Sequence, residues 1–104
     1  MSKVFWLDKY PFDVCDFGAD WNHVGGVYIF TGLNNWNGWV PLYIGQADSF
    51  RNRIPSHEKW SLAVRRGATH VHAMVVRQEA TRGAIERELI LAYQPTLNVQ
   101  YRIA

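Results

Sequence analysis

Cysteine is nearly absent from this chain. Its single thiol, Cys15, cannot close an internal disulfide and has no partner at zinc-site spacing, so buried filler is its expected role. Long hydrophobic runs are missing as well. No run approaches the roughly 20 apolar residues that span a bilayer, and the opening Met1-Ser2-Lys3-Val4-Phe5-Trp6-Leu7-Asp8 puts an acid where a signal peptide would continue its apolar core. A soluble, cytoplasmic protein with no membrane partner is expected. The sequence also lacks internal repeats, low-complexity tracts and linkers, which points to one domain. At 104 residues, 48% of them hydrophobic, it can fill a single core and does not have the composition of a disordered chain.

The formal net charge of +2 hides an asymmetry. Residues 1 to 50 carry two lysines against five aspartates, a balance of −3, and residues 51 to 104 carry nine cations against four glutamates, a balance of +5. The basic half suits a polyanionic partner, although ordinary helix-surface charge accounts for part of it.

Gly25 to His57 is the stretch richest in chemistry. Two apolar strands, Gly26 to Thr31 and Val40 to Gly45, each carry a tyrosine, and the polar segment behind them holds Arg51, Arg53 and His57. A phenol donates a hydrogen bond or accepts a proton, a guanidinium offers a fork to phosphate oxygens, and an imidazole moves protons near neutrality. A metal-binding acid is what this stretch does not supply. Between the strands, Gly32 to Trp39 is rich in turn formers and should close an antiparallel hairpin. Its tryptophans, Trp36 and Trp39, have two open readings: stacking on nucleic acid, or pinning the loop.

Elsewhere the patterns are plainer. Residues 1 to 24 are aromatic and acidic, with a short strand near Val4 to Leu7 followed by irregular structure, and are expected to form an extension packed on the core. Asp48 or Ser49 can cap a short helix ending at Ile54, and Ser56 can cap a second one with Trp60, Ala63 and Val64 inward. Lys59, Arg65 and Arg66 of that second helix are candidate phosphate contacts. Thr69 to Arg77 reads as a third strand. Its His70 and His72 share a face but have no third ligand nearby, so a packed or solvated pair is the expectation. Ala80 to Tyr93 forms the clearest helix, with Ala84, Ile85, Leu89 and Ala92 toward the core, and the tail from Thr96 to Ile103 can add a strand. On the long helix Glu86 lies four residues after Arg82, and a structural ion pair is the default for that spacing.

Gly26-Val27-Tyr28 followed by Tyr43-Ile44-Gly45 resembles the paired signatures of the GIY-YIG nuclease superfamily. Arg53 stands ten residues after the second tyrosine and His57 four beyond it. Further on come Glu86, then Leu89-Ile90, Tyr93-Gln94-Pro95 and Asn98, in the family's order. The likeness covers Gly25 to about Asn98. It implies an α+β fold, a small three-stranded antiparallel sheet flanked by helices, with residues 25 to 104 as the nuclease domain. The implied activity is hydrolysis of DNA phosphodiesters with one divalent ion, Mg2+ or Mn2+, held by Glu86. In that scheme Tyr28 or His57 takes a proton from the attacking water, Arg53 and Tyr43 serve the phosphate, and Asn98 positions the group.

Two departures stand out. Gln46 replaces the lysine that many members carry three residues after the second tyrosine, and the interval between the tripeptides is lengthened by Asn34 to Trp39. Sequence specificity would have to come from a homodimer, a protein partner, the tryptophan loop or residues 1 to 24. The competing readings are a non-catalytic binding module of the same fold, and a nuclease for branched or single-stranded DNA or for RNA.

Overall fold

A computed structural model describes residues 2–103. The elements run β1 (Lys3–Trp6), β2 (Tyr10–Cys15), β3 (Gly26–Leu33), β4 (Trp39–Ala47), α1 (Phe50–Arg53), α2 (Trp60–Arg65), β5 (Ala68–Val75) and α3 (Glu79–Tyr93). All strands join one antiparallel sheet in the order β1-β2-β5-β3-β4. The α+β class is as expected, but the sheet has five strands and not three.

The two added strands come from the aromatic N-terminal segment. Tyr10-Pro11-Phe12 hides β2 from a periodicity reading because it carries a proline and alternates poorly. Proline is tolerated here because β5 pairs only with Asp13 to Cys15, beyond Pro11. The turn before it is equally hard to foresee. Leu7 and Asp8 take left-handed φ values of 54° and 56°, and the Leu7 N–H donates to the Tyr93 hydroxyl at 3.0 Å, tying this turn to the far end of α3.

Both faces of the sheet are covered, which explains the unbroken apolar run Val27 to Phe30 of β3, an interior strand between β5 and β4. Val27 and Ile29 pack with Trp6, Phe12, Ile44, Leu89 and Ile90 on the α3 side. Tyr28 and Phe30 point the other way, toward Phe50, Ile54 and Ala63 of the α1–α2 layer. Phe17 stacks on Trp60 at 4.3 Å and 7°, drawing the segment before β3 over that layer.

The helices differ in detail from expectation. Ser49 caps α1, accepting from the Asn52 N–H at 3.3 Å, but α2 starts at Trp60 with no side-chain cap, so Ser56 does not cap it. Val64 is exposed, while Ala63 is buried. In α3 the buried stripe is Arg82, Glu86, Leu89 and Ile90, and Ala84 and Ala92 face outward. A reading that sends only apolar residues inward rotates this helix wrongly, because two of its inward positions are charged. Residues 96–103 form no strand. Among the described residues no helix is long and apolar enough to cross a membrane.

Candidate active site

β4 is an edge strand, and the site is built where the two faces of the sheet meet around it. The register sets Gly45 opposite Tyr28, and the phenol lies across that glycine. A Cβ at position 45 would come within 2.5 Å of the Tyr28 oxygen and 2.6 Å of its Cζ. The missing side chain is therefore a lane along which a core tyrosine brings its hydroxyl to the free edge. Gly26 serves close approach too, since a Cβ there would meet the Met74 carbonyl oxygen at 2.2 Å and the Phe50 ring at 2.4 Å. Neither glycine needs a left-handed backbone; among the described residues that conformation falls to Gly67 alone of the glycines.

The free edge itself is held by Asn98. Its amide nitrogen donates to the Ile44 carbonyl at 2.8 Å, and its oxygen accepts from the Ile44 N–H at 2.8 Å. A buried side chain thus stands in for a sixth strand between Tyr43 and Gly45, satisfying backbone groups that would otherwise be orphaned.

On the α1–α2 face, His57 Nε2 lies 2.7 Å from the Tyr28 oxygen. His57 Nδ1 accepts from the Lys59 N–H at 3.0 Å, so the one proton of a neutral imidazole sits on Nε2 and that N–H donates to Tyr28. The phenol proton is left free to point elsewhere. Burial, reinforced by Arg53, lowers the His57 pKa to about 4 and keeps the ring neutral. Burial also pushes the Tyr28 phenol well above its ordinary range, and Tyr43 upward. The Arg53 charge pulls both phenols down and the Glu86 charge pushes both up, which places all four groups within one electrostatic neighbourhood.

Arg53 grips Glu58 with both terminal nitrogens, at 2.8 and 3.0 Å. Glu58, absent from the sequence-derived candidates, is held down to a pKa of about 2 chiefly by that hydrogen bonding. The only signal for it was an acid beside His57. Strand alternation sends Gln46 to the opposite face from Tyr43, and its amide nitrogen donates to Glu86 Oε1 at 3.2 Å. Burial raises the Glu86 carboxyl above its usual range, and the Gln46 bond partly offsets this. The expected Arg82–Glu86 ion pair is not formed. Arg82 is buried and turns instead to the carbonyls of Val76 and Arg77, at 3.4 and 3.1 Å, stitching the start of α3 to the loop after β5.

Other candidates are dispersed. Arg51 is exposed, with Nε donating to the Trp21 carbonyl at 3.2 Å, and Lys59 is half-buried. Arg65 and Arg66 are exposed at the end of α2. The two tryptophans part company. Trp36 is 87% exposed, whereas Trp39 begins β4 and packs edge-on to His70 and His72, with centroids 5.3 and 4.5 Å apart. His72 is fully buried and accepts at Nδ1 from the Trp6 indole at 3.1 Å. Among the described residues no three His, Cys, Asp or Glu side chains gather into a metal cage.

These two imidazoles make the fold acid-sensitive. His57 and His72 each have a pKa lowered from 6.5 to about 4, mainly by burial, so the unfolded chain binds more protons than the folded one between those values. Their contribution is complete above pH 6.5 and is lost as pH falls toward 4, with about 3 kcal/mol at stake for each. Urea unfolding at pH 7.5 and 4.5 should show a much lower midpoint in acid. Equal midpoints would mean that neither ring is held neutral.

A search of solved structures finds the GIY-YIG N-terminal endonuclease domain of UvrC from Thermotoga maritima. The form bound to its catalytic divalent cation, magnesium, is 31% identical with a TM-score of 0.63, over 77% of this chain and 89% of that one. A point mutant bound to its catalytic divalent cation is 30% identical with a TM-score of 0.64, over 78% and 89%. A second point mutant reaches 32% and 0.62 over the same shares. No protein-family model and no curated protein matches the chain. Identity at this level over more than three quarters of the chain, joined to two glycines whose missing side chains make room for Phe50 and Tyr28, leads to one conclusion: the chain belongs to the GIY-YIG endonuclease-domain family.

Proposed function

We propose that this protein is a metal-dependent endonuclease that hydrolyses phosphodiester bonds in DNA. The observation that carries the reading is the convergence at the β4 edge of Tyr28, Tyr43, His57 and Arg53 from one face with Glu86 from the other. Proton-transfer groups, a phosphate-binding fork and an acid are all present there. The related Thermotoga domain binds magnesium as its catalytic cation, and the donor set here suits such an ion. Glu86 offers one carboxylate, engaged among the described residues only at Oε1 and only by a neutral amide. One acid without a cage fits a hard cation, Mg2+ or Mn2+, that keeps most of its waters. When bound at Glu86, the ion would supply positive charge to the phosphate and lower the pKa of its waters.

The chain's own residues account for the rest. Tyr28 Oη, a neutral phenol, orients the attacking water, whose proton passes to solvent, and the His57 Nε2–H donates to the phenol oxygen and fixes its direction. With Nδ1 engaged by the Lys59 N–H, His57 is a donor to Tyr28 and not itself the base. Tyr43, beside it, is placed to hydrogen-bond the phosphate or the water. As the water oxygen bonds to phosphorus, the ester P–O bond breaks and the departing oxygen takes a proton from solvent. Arg53 neutralises the charge gathered on the non-bridging oxygens. Its present partner, the Glu58 carboxylate, has the shape of two phosphate oxygens, and because the pair is exposed the exchange for a phosphate costs little.

Arg53→Ala should lower single-turnover cleavage by about a hundredfold and leave the folded structure unchanged. A wild-type rate in this variant would remove Arg53 from the chemistry. The reading as a whole is tested by incubating the protein with plasmid, linear duplex, branched and single-stranded DNA and structured RNA, in Mg2+, Mn2+ or EDTA. Cation-dependent cutting of DNA is expected. No cutting of any substrate would move the protein to the binding-module reading, and cutting of RNA alone would change the substrate.

A further inference from the structure

The β3–β4 hairpin presents a feature that the catalytic reading leaves unused. At its tip Asn34 Oδ1 accepts from the N–H groups of Trp36 and Gly38 at 2.9 and 2.8 Å, and the backbone closes through Asn34 N–H to the Gly38 carbonyl at 2.9 Å. Asn37 completes the turn at φ 59°. This tightly bonded loop holds Trp36 out, 87% exposed, with Leu33 also exposed beside it. An indole displayed on an ordered tip, and not tucked against the sheet as Trp39 is, is a flat stacking surface that water solvates poorly.

A basic track leads to it from the active site. The segment Arg53 to Gly67 lies along the hairpin: His57 touches Tyr28 at one end, and the Gly67 carbonyl lies against Gly32 at the other. Along this track Lys59 is followed by exposed Arg65 and Arg66, just before the Gly67 that meets Gly32, and no acid occurs between Lys59 and Gln78 or anywhere from Gly32 to Ala47. A phosphate backbone entering at Arg53 takes the place of Glu58 there and then meets cations on its way to the tip. The tip stands roughly 20 Å from Tyr43 at ~3.3 Å per strand residue, or about six base steps of ~3.4 Å.

We infer that Trp36 is a base-stacking wedge that gives this protein a preference for DNA with unpaired or unstacked bases about six steps from the scissile phosphate. The inference rests on the nuclease reading for its register but can be tested apart from it. In EDTA, fluorescence anisotropy compares binding of a labelled 30-base-pair duplex with the same duplex carrying a two-base bubble. Wild type should bind the bubble about tenfold or more tightly than the duplex. Trp36→Ala should lose that preference, and Trp36→Phe, which keeps an aromatic face, should retain most of it. Arg65→Ala with Arg66→Ala should reduce the salt slope of log affinity by about two. In Mg2+, wild-type cuts should cluster about six nucleotides from the bubble, and Trp36→Ala should scatter them.

Equal bubble binding by wild type and Trp36→Ala would overturn the wedge. So would a wild type that does not prefer the bubble or binds no DNA. The nuclease reading fails separately: if wild type cuts nothing in Mg2+ yet binds the bubble through Trp36, the wedge stands and catalysis falls.

Discussion

Glu86→Ala should abolish cation-dependent cleavage, lowering the single-turnover rate by about a thousandfold or more, equivalent to ~4 kcal/mol of transition-state stabilisation. The fold should survive. Glu86 is mostly buried and has one polar partner, the Gln46 amide, and burial disfavours its charge. Removing it relieves a desolvated carboxylate and leaves behind an amide that water can reach. Glu86→Gln, which keeps the shape without the charge, should be as inactive as the alanine variant. Three measurements decide it: single-turnover cleavage, thermal midpoint and titration with Mn2+. Near-native midpoints with no cleavage and weakened Mn2+ binding are expected. A rate within tenfold of wild type would remove the acid from its role.

Gly45→Ala should damage stability and activity together. The added Cβ falls 2.5 Å from the Tyr28 oxygen, and that phenol is no loose end. It is 1% exposed, packed against Phe30, Tyr43 and His57, and hydrogen-bonded to His57 at 2.7 Å. Either the phenol is displaced or the edge strand shifts, pulling on Ile44 and its Asn98 clamp. Overpacking of this kind costs about 1–3 kcal/mol, and a displacement of about 1 Å at the reacting groups costs about a hundredfold in rate. A cycle with Tyr28→Phe isolates the cause. The ring Cζ would still lie 2.6 Å from the new Cβ, but without the hydroxyl its bond to His57 is gone and the ring can give way, so Gly45→Ala should destabilise Tyr28→Phe less than it destabilises wild type in urea unfolding. Equal penalties in both backgrounds would locate the strain elsewhere.

Much of the site was legible as chemistry and little of it as geometry. The spacing of Tyr28, Tyr43, Arg53, His57, Glu86 and Asn98 is carried by short segments whose lengths are local. Their order along the chain could therefore be matched to a family before any contact was known. The direction of the Tyr28–His57 hydrogen bond could not, because it depends on the Lys59 N–H occupying the other imidazole nitrogen. Glu58 was passed over because nothing in its spacing distinguishes a partner of Arg53 from a solvated helix-start acid. Arg82 misleads for the opposite reason. Its i, i+4 relation to Glu86 is a real neighbourhood on a helix, but both carbonyls it takes belong to the loop after β5.

The same division runs through the fold. Two apolar runs and the turn-rich run between them were enough to determine the β3–β4 hairpin, and the cap of α1 and the termini of α1 and α3 were determined to within a residue or two. These are local properties, decided by backbone propensity and the period of the apolar pattern. Membership of the sheet was decided only by tertiary structure. β2 alternates poorly and contains Pro11, yet Phe12 finds a place under α3 and residues 13 to 15 find a partner in β5. The inward face of α3 was likewise set by what it meets, so that Arg82 and Glu86 point inward where a hydrophobicity reading sends them out. The candidate site lies at the extreme of this dependence. Its tyrosines leave one face of the sheet and its acid the other, and they meet because β4 is an edge and Gly45 leaves the way across it open.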